Sequence, residues 1–301
     1  MRKEMYDLVK NAIVFRYHLP NTQKGIVRSA FSTQKDVCFC NNDPQNISKV
    51  IYNGIIEYAK NEYKIDYSRL EKEQLKALKL SLRYNDDADD STKQKYGFYG
   101  EILLYSILKV HMGADVLISK GYFYSPLERA EAKGYDVFHL IERNDNVELW
   151  FGESKFYENY KPAITKIIDN LSNALSDKYL ERNIFAIIDE KDNCTTFPSK
   201  LKQIVNSWED NPDIKLVDEI NKHKIKLTYP IFVAYQKGTN KSYDETIKDC
   251  IDHILYEFNS KNIQLLASFD FSLFFIFLPL EKVKNIKGDV IKWITERQPL
   301  I

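Results

Sequence analysis

The residues best suited to chemistry lie near the middle of the chain. The stretch 147–157 reads VELWFGESKFY, an apolar run that ends in Glu153, Ser154 and Lys155. In an extended strand alternate side chains share a face, so Val147, Leu149, Phe151, Glu153 and Lys155 point the same way. Glu153 and Lys155 then project side by side, about 7 Å apart along the strand. Upstream, GYDVFHLIE (134–142) reads as another strand that begins at Asp136, with Phe138 and Leu140 on the face of the acid. RNDN (143–146) between them is a turn-type cluster. If the two strands form a hairpin, the start of one meets the end of the other, and Asp136 neighbours Glu153 and Lys155.

Two carboxylates and one ammonium converging at a sheet edge make a site for a hard divalent cation. Mg²⁺ prefers one or two carboxylates, completed by waters and phosphate oxygens. Such an ion makes a bound water more acidic and neutralises charge on a phosphodiester under attack. The lysine would hold the attacking water, or help deprotonate it, and stabilise the developing charge. Ser154 faces the other way, but its backbone carbonyl can join the metal shell. A third acid, Glu101, sits in a helix that is apolar on nearly every side, with Phe98, Leu104, Tyr105 and Leu108 as its helical neighbours. A carboxylate there is costly to bury unless it meets a cation. The alternative is an exposed acid near the helix start, favoured by the dipole. Glu-x-Lys alone also describes a surface ion pair of small worth. The order helix-Glu, strand-Asp, turn, strand-Glu-x-Lys is more specific.

Elements of the right kind surround these residues. A long helix is expected over 93–112, short strands over 115–119, 134–142 and 146–155, and an amphipathic helix over 160–180. NIFAIID (183–189) reads as a strand buried on both sides. Downstream, IFVAYQ (231–236), a helix near 243–259, SLFFIFLPL and a last helix near 281–296 continue the alternation. This is an α/β layer. Ahead of it, 1–85 mixes strand-like pieces such as AIVFRYHL with helices at about 47–63 and 68–83. The acidic NDDADDS at 85–91 cannot pack and marks the best boundary. The expected organisation is an N-terminal α+β region over 1–90, a candidate partner interface, and a site-bearing domain over 91–301.

Composition narrows the class. The 301 residues carry 43 Lys+Arg against 43 Asp+Glu, so any grip on nucleic acid needs a local patch or a partner. Cys38, Cys40, Cys194 and Cys250 lack zinc-finger spacing and read as reduced thiols. No signal-type core opens the sequence, and the longest apolar run, 271–280, is about half of what a bilayer needs. A cytoplasmic protein without membrane contact or an organic cofactor is expected. KGTNKS (237–242) lacks the order of a phosphate loop, and His139 and His111 read as packed. Phe156, Tyr157 and Tyr160 could stack on bases or simply wall the fold. Lys161, Lys166 and Lys178 could meet phosphates or only solvent.

Glu101, Gly134-Tyr135-Asp136 and Glu153-Ser154-Lys155 resemble the core of the PD-(D/E)xK nuclease superfamily, with Tyr135 where that motif usually has proline. More narrowly, YGEILLY, KGYDVFHL, WFGESKFY and NIFAIID are similar to HamA, the effector subunit family of bacterial Hachiman anti-phage systems, and to the related AbpA. The resemblance is strongest over 97–190. It implies a mixed central sheet flanked by helices and a Mg²⁺-dependent DNA nuclease, with Mn²⁺ as a substitute ion. It also implies a helicase partner, HamB, that releases the nuclease when phage or damaged DNA is sensed. Under it Asp136 and Glu153 are metal ligands, Lys155 is the catalytic lysine and Glu101 an auxiliary ligand. Two other readings stand beside it: a non-catalytic adaptor with a nuclease-like fold that binds and regulates a helicase, and a stand-alone DNA repair nuclease.

Overall fold

The computed structural model describes residues 1–20, 35–125, 130–131, 134–143, 146–189, 199–209, 215–261 and 271–301. Cys194 and the centre of the expected 143–146 turn lie outside them.

The first third contains α1 (Lys3–Ala12), β1 (Ile13–His18), β2 (Val37–Asn41), α2 (Pro44–Ala59), α3 (Leu70–Leu80) and the short α4 (Asp90–Lys93). The middle contains α5 (Phe98–Val110), β3 (Asp115–Ile118), the two-residue strands β4 (Tyr124–Ser125) and β5 (Ala130–Glu131), β6 (Val137–Arg143) and β7 (Asn146–Tyr157). It is followed by α6 (Tyr160–Ala174), α7 (Asp177–Asp189), α8 (Ser199–Glu209), α9 (Leu216–Lys222), β8 (Lys226–Gln236), α10 (Tyr243–Ser260), β9 (Phe271–Leu280) and α11 (Val283–Glu296).

Seven strands form one mixed sheet in the order β1-β2-β9-β8-β7-β6-β3. Its centre is parallel, since β2, β9, β8 and β7 run in one direction, and both borders turn antiparallel. Central strands buried on both faces need apolar side chains at odd and even positions alike. On β8, Tyr229, Ile231, Val233 and Tyr235 face one core, while Phe232 and Ala234 face the other. Phe275 and Phe277 of β9 join the first core, and Phe274, Ile276 and Leu278 the second. Ile231, Phe232 and Val233 are wholly enclosed, and each such side chain contributes about 1.5–3 kcal/mol relative to exposure. The apolar stripes of α6, α7, α8 and α10 close the first core. Those of α1, α2, α5 and α11 close the second.

The expected helix over 93–112 is two helices, because the chain turns at Gln94–Gly97 before α5 starts. The expected helix over 160–180 ends at Ala174, and a second begins at Asp177. The strand expected at 183–189 is absent. NIFAIID is the end of α7, which buries Leu180, Asn183, Ile184 and Ile187, spaced as one face of a helix. Of the acidic stretch 85–91, residues 85–89 are a loop, and Asp89 caps α4 by accepting from the Thr92 amide at 2.9 Å. The sheet runs across that loop in sequence: β1 and β2, from residues 1–90, pair beside β9. KSYDETIKD opens α10 with a capping box between Ser242 and Glu245. Among the described residues no helix is long and apolar enough to cross a membrane.

Candidate functional site

β6 and β7 form the antiparallel hairpin that the sequence implies, with Val137 opposite Gly152. Asp136, just before β6, donates its backbone N–H to the Gly152 carbonyl at 2.9 Å. Its carboxylate then reaches along β7, accepting from the Ser154 amide at 2.7 Å and from the Ser154 hydroxyl at 3.0 Å. The acid is thus fixed to the strand end by two donors of one residue. The strand does not open to solvent at Gly152. Gly152 is buried, and a Cβ on it would lie 2.8 Å from Pro230 and 3.2 Å from Leu104. Ser154, two residues on, is buried as well but is the first residue of β7 on the lining of the cleft described below.

Glu153 and Lys155 do project together: the Lys155 ammonium donates to Glu153 Oε1 at 2.6 Å. Glu153 Oε2 accepts from the Tyr229 hydroxyl at 2.8 Å, and the Lys155 ammonium also lies 3.2 Å from the Ser154 carbonyl. Burial alone would depress the Lys155 pKa, but the carboxylates of Glu153 and Asp136 outweigh it and hold the lysine above its ordinary value. Lys155 is therefore a cation at neutral pH, suited to stabilising negative charge more than to accepting a proton.

Glu101 comes to this place on the first turn of α5. That helix presses on β7 through Gly100, where a Cβ would meet Phe156 Cβ at 3.1 Å and Ser154 Oγ at 3.2 Å. The Tyr58 hydroxyl, from α2, donates to Glu101 Oε2 and lies 3.3 Å from the Asp136 carbonyl oxygen. Tyr58 is buried and so ties the helix acid to the strand acid. Nothing local in the sequence signals this role.

Glu101, Asp136, Ser154 and Lys155 line one cleft of about 660 Å³. It lies at the end where the parallel strands β7, β8 and β9 leave the sheet, the usual place for a ligand crevice in an open α/β sheet. Glu153 is not among its lining residues; Lys155 and Tyr229 hold it to the side. Five lysines line the cleft (95, 155, 166, 284 and 287) against three acids (101, 136 and 158), a local basic lining on a neutral chain. Sequence reasoning missed Tyr58, Tyr229, Lys284 and Lys287, all distant from the motif in sequence, and Lys95, six residues before Glu101.

Hard oxygen donors are the correct chemistry for Mg²⁺, which takes one or two carboxylates and keeps several waters. Glu101 and Asp136 supply two such carboxylates to one cleft. A preformed cage is not present: among the described residues no three acidic, histidine or cysteine side chains stand together as metal ligands.

The remaining sequence candidates are structural or at the rim. His139 is fully buried beneath α5, edge-on to Tyr105 at 5.4 Å with its Nδ1 3.0 Å from the Ala114 carbonyl, and burial pushes its pKa down to about 4. His111 packs against the Phe39 ring at 5.0 Å. Phe156 is buried and Tyr160 packs on Tyr235 at 5.3 Å, so both are wall. Tyr157 and Lys166 line the cleft, and Lys161 and Lys178 do not. Cys38 and Cys250 are buried free thiols whose pKa values burial raises.

No curated protein and no solved structure matches the chain. A family model does, described as HamA, over residues 12–294. That span holds all seven strands of the central sheet and every residue of the cleft. The chain belongs to the HamA family.

Proposed function

We propose that the chain is a metal-dependent DNA nuclease with a PD-(D/E)xK type of core, the effector subunit of an anti-phage defence complex with a helicase. One observation carries the reading: a helix acid, a strand acid and a cationic lysine from three elements line one basic cleft at the carboxyl end of the parallel strands. Family membership supports the defence role, and the resemblance to HamA supplies the helicase.

Glu101 and Asp136 would hold Mg²⁺, with Glu153 and the Ser154 carbonyl, both beside the Lys155 ammonium, as the further oxygen donors. The bound ion would supply an acidified water and counter-charge for the phosphodiester. The protein's own share is positional and electrostatic. Asp136 is pre-aimed by the Ser154 amide and hydroxyl, and Glu101 by Tyr58. The Lys155 ammonium provides the positive charge that developing charge on phosphate requires.

The test is cleavage of plasmid and linear DNA by the chain with its helicase, in Mg²⁺ and in EDTA. Wild type is compared with Asp136→Ala and Lys155→Ala. Cleavage that needs Mg²⁺ and disappears in both variants supports the reading; equal cleavage by Lys155→Ala would sink it. The closed set of Glu153, Lys155 and Tyr229 also suits a non-catalytic adaptor, in which the pair would be purely structural. Undiminished phage protection by Asp136→Ala and Lys155→Ala cells would favour that adaptor. Failure to co-purify with a helicase would instead point to a stand-alone nuclease.

A further inference from the structure

The lysines of the cleft differ in their surroundings. The Lys287 ammonium donates to the carbonyl oxygens of Gln94 at 2.9 Å and Phe156 at 3.0 Å. It lies 5.3 Å and 5.0 Å from the ring centroids of Tyr99 and Phe156. A lysine ammonium has three N–H groups, so two are committed to carbonyls and the third remains for whatever enters the cleft. Lys284 lies one turn earlier on α11. Lys284 stands in the first turn of this helix, where the dipole adds to the attraction of anions.

Lys95 lies between α4 and α5, and Lys166 on α6; with Lys284 they are exposed. None of these four lysines has an ion-pair partner among the described residues. Four such cations around a concave site, on a chain of zero net charge, are arranged for a polyanion. Tyr157 lines the same cleft, with the Lys166 ammonium 5.4 Å from its ring centroid. A basic groove with an accessible aromatic ring is the arrangement that takes single strands, since only unpaired bases offer their faces for stacking.

We propose that Lys95, Lys166, Lys284 and Lys287 seat the phosphodiester backbone of a single nucleic-acid strand, with Tyr157 stacking on one of its bases. The assignment rests on the nuclease reading for the kind of ligand, but the seat binds whether or not the strand is cut.

The experiment is fluorescence anisotropy of the full-length chain with a labelled oligothymidylate, and with a blunt duplex of equal length, in EDTA over a range of salt. Single strand is expected to bind more tightly than duplex. Lys95→Gln combined with Lys284→Gln should weaken binding and flatten the plot of log affinity against log salt by about 1.4, since each lysine taken off a phosphate accounts for about 0.7. Tyr157→Leu should weaken binding about 5- to 150-fold, the loss of one stacked base, and leave the salt slope unchanged. Circular dichroism and thermal melting confirm that each variant is folded. Equal affinity for duplex, an unchanged slope in the double variant, or no binding by wild type would overturn the proposal. Retained binding without Mg²⁺-dependent cleavage would overturn the nuclease reading alone.

Discussion

Tyr58→Phe removes one oxygen atom and tests whether the N-terminal third of the chain takes part in the site. The hydroxyl donates to Glu101 and touches the Asp136 backbone, so its loss leaves the helix acid less firmly aimed. A hydrogen bond to a charged group is worth about 1.5–3 kcal/mol. Loss of a group that orients a metal ligand typically costs about 10–100-fold in metal affinity or activity. The expected result is a Mg²⁺ activation curve for DNA cleavage displaced by about that factor, with little change at saturating metal. Tyr105→Phe is the control: its hydroxyl is buried with no hydrogen-bond partner among the described residues, and its ring packs edge-on against Tyr58 at 5.9 Å. It should melt at or slightly above the wild-type temperature and leave the Mg²⁺ curve in place. In a double-mutant cycle Tyr58→Phe should add almost nothing once Glu101 is Gln, because the two act as a unit. Equal Mg²⁺ curves for Tyr58→Phe and wild type, with Glu101→Gln impaired, would refute the idea that Tyr58 positions the acid.

Gly121→Ala would drive a Cβ into the Ala59 backbone carbonyl, well inside van der Waals distance, and that neighbour cannot rotate away. A loss of about 3 kcal/mol, at the upper end of overpacking, is expected in urea unfolding. His139 is held neutral by burial, with its pKa near 4 against an ordinary 6.5, so between these values the unfolded chain binds the additional proton. Stability should fall as pH drops through that window, by about 3 kcal/mol in all, and His139→Phe should flatten this part of the profile. Lys287 has its pKa pulled down to about 8 by burial, against the opposing charge of Glu158. Here too the unfolded chain binds the additional proton above pH 8, so wild type should gain stability relative to Lys287→Met as pH rises from 8 toward 10.5. Glu153→Gln weakens the ion pair that holds Lys155, and the ammonium pKa, read by ¹⁵N NMR, should fall toward its ordinary value because burial then acts with less opposition.

The hairpin was legible because alternation and a turn cluster fix which residues face each other, and Asp136, Glu153 and Lys155 follow from register alone. Register does not say where a side chain ends up. Asp136 turns to Ser154 and Glu153 to Tyr229, choices made by partners 18 and 76 residues away. The strand expected at 183–189 failed for a different reason. Read from Asn183, the segment is a short apolar run; read from Leu180, its buried residues recur at three- and four-residue steps. Tyr58 and the α11 lysines could not be read at all, since their only signal is proximity created by the sheet order.

The acidic loop at 85–89 separates Tyr58 from Glu101 in sequence, yet β1 and β2 pair within the same sheet as β6 and β7. A protease that nicks this loop would therefore yield two fragments that stay together, each retaining part of the site. Such a nicked protein should elute as one species in native chromatography, with Tyr58 and Glu101 parting only when denaturant pulls the halves apart. Neither fragment expressed alone should show the metal binding proposed for the joined pair.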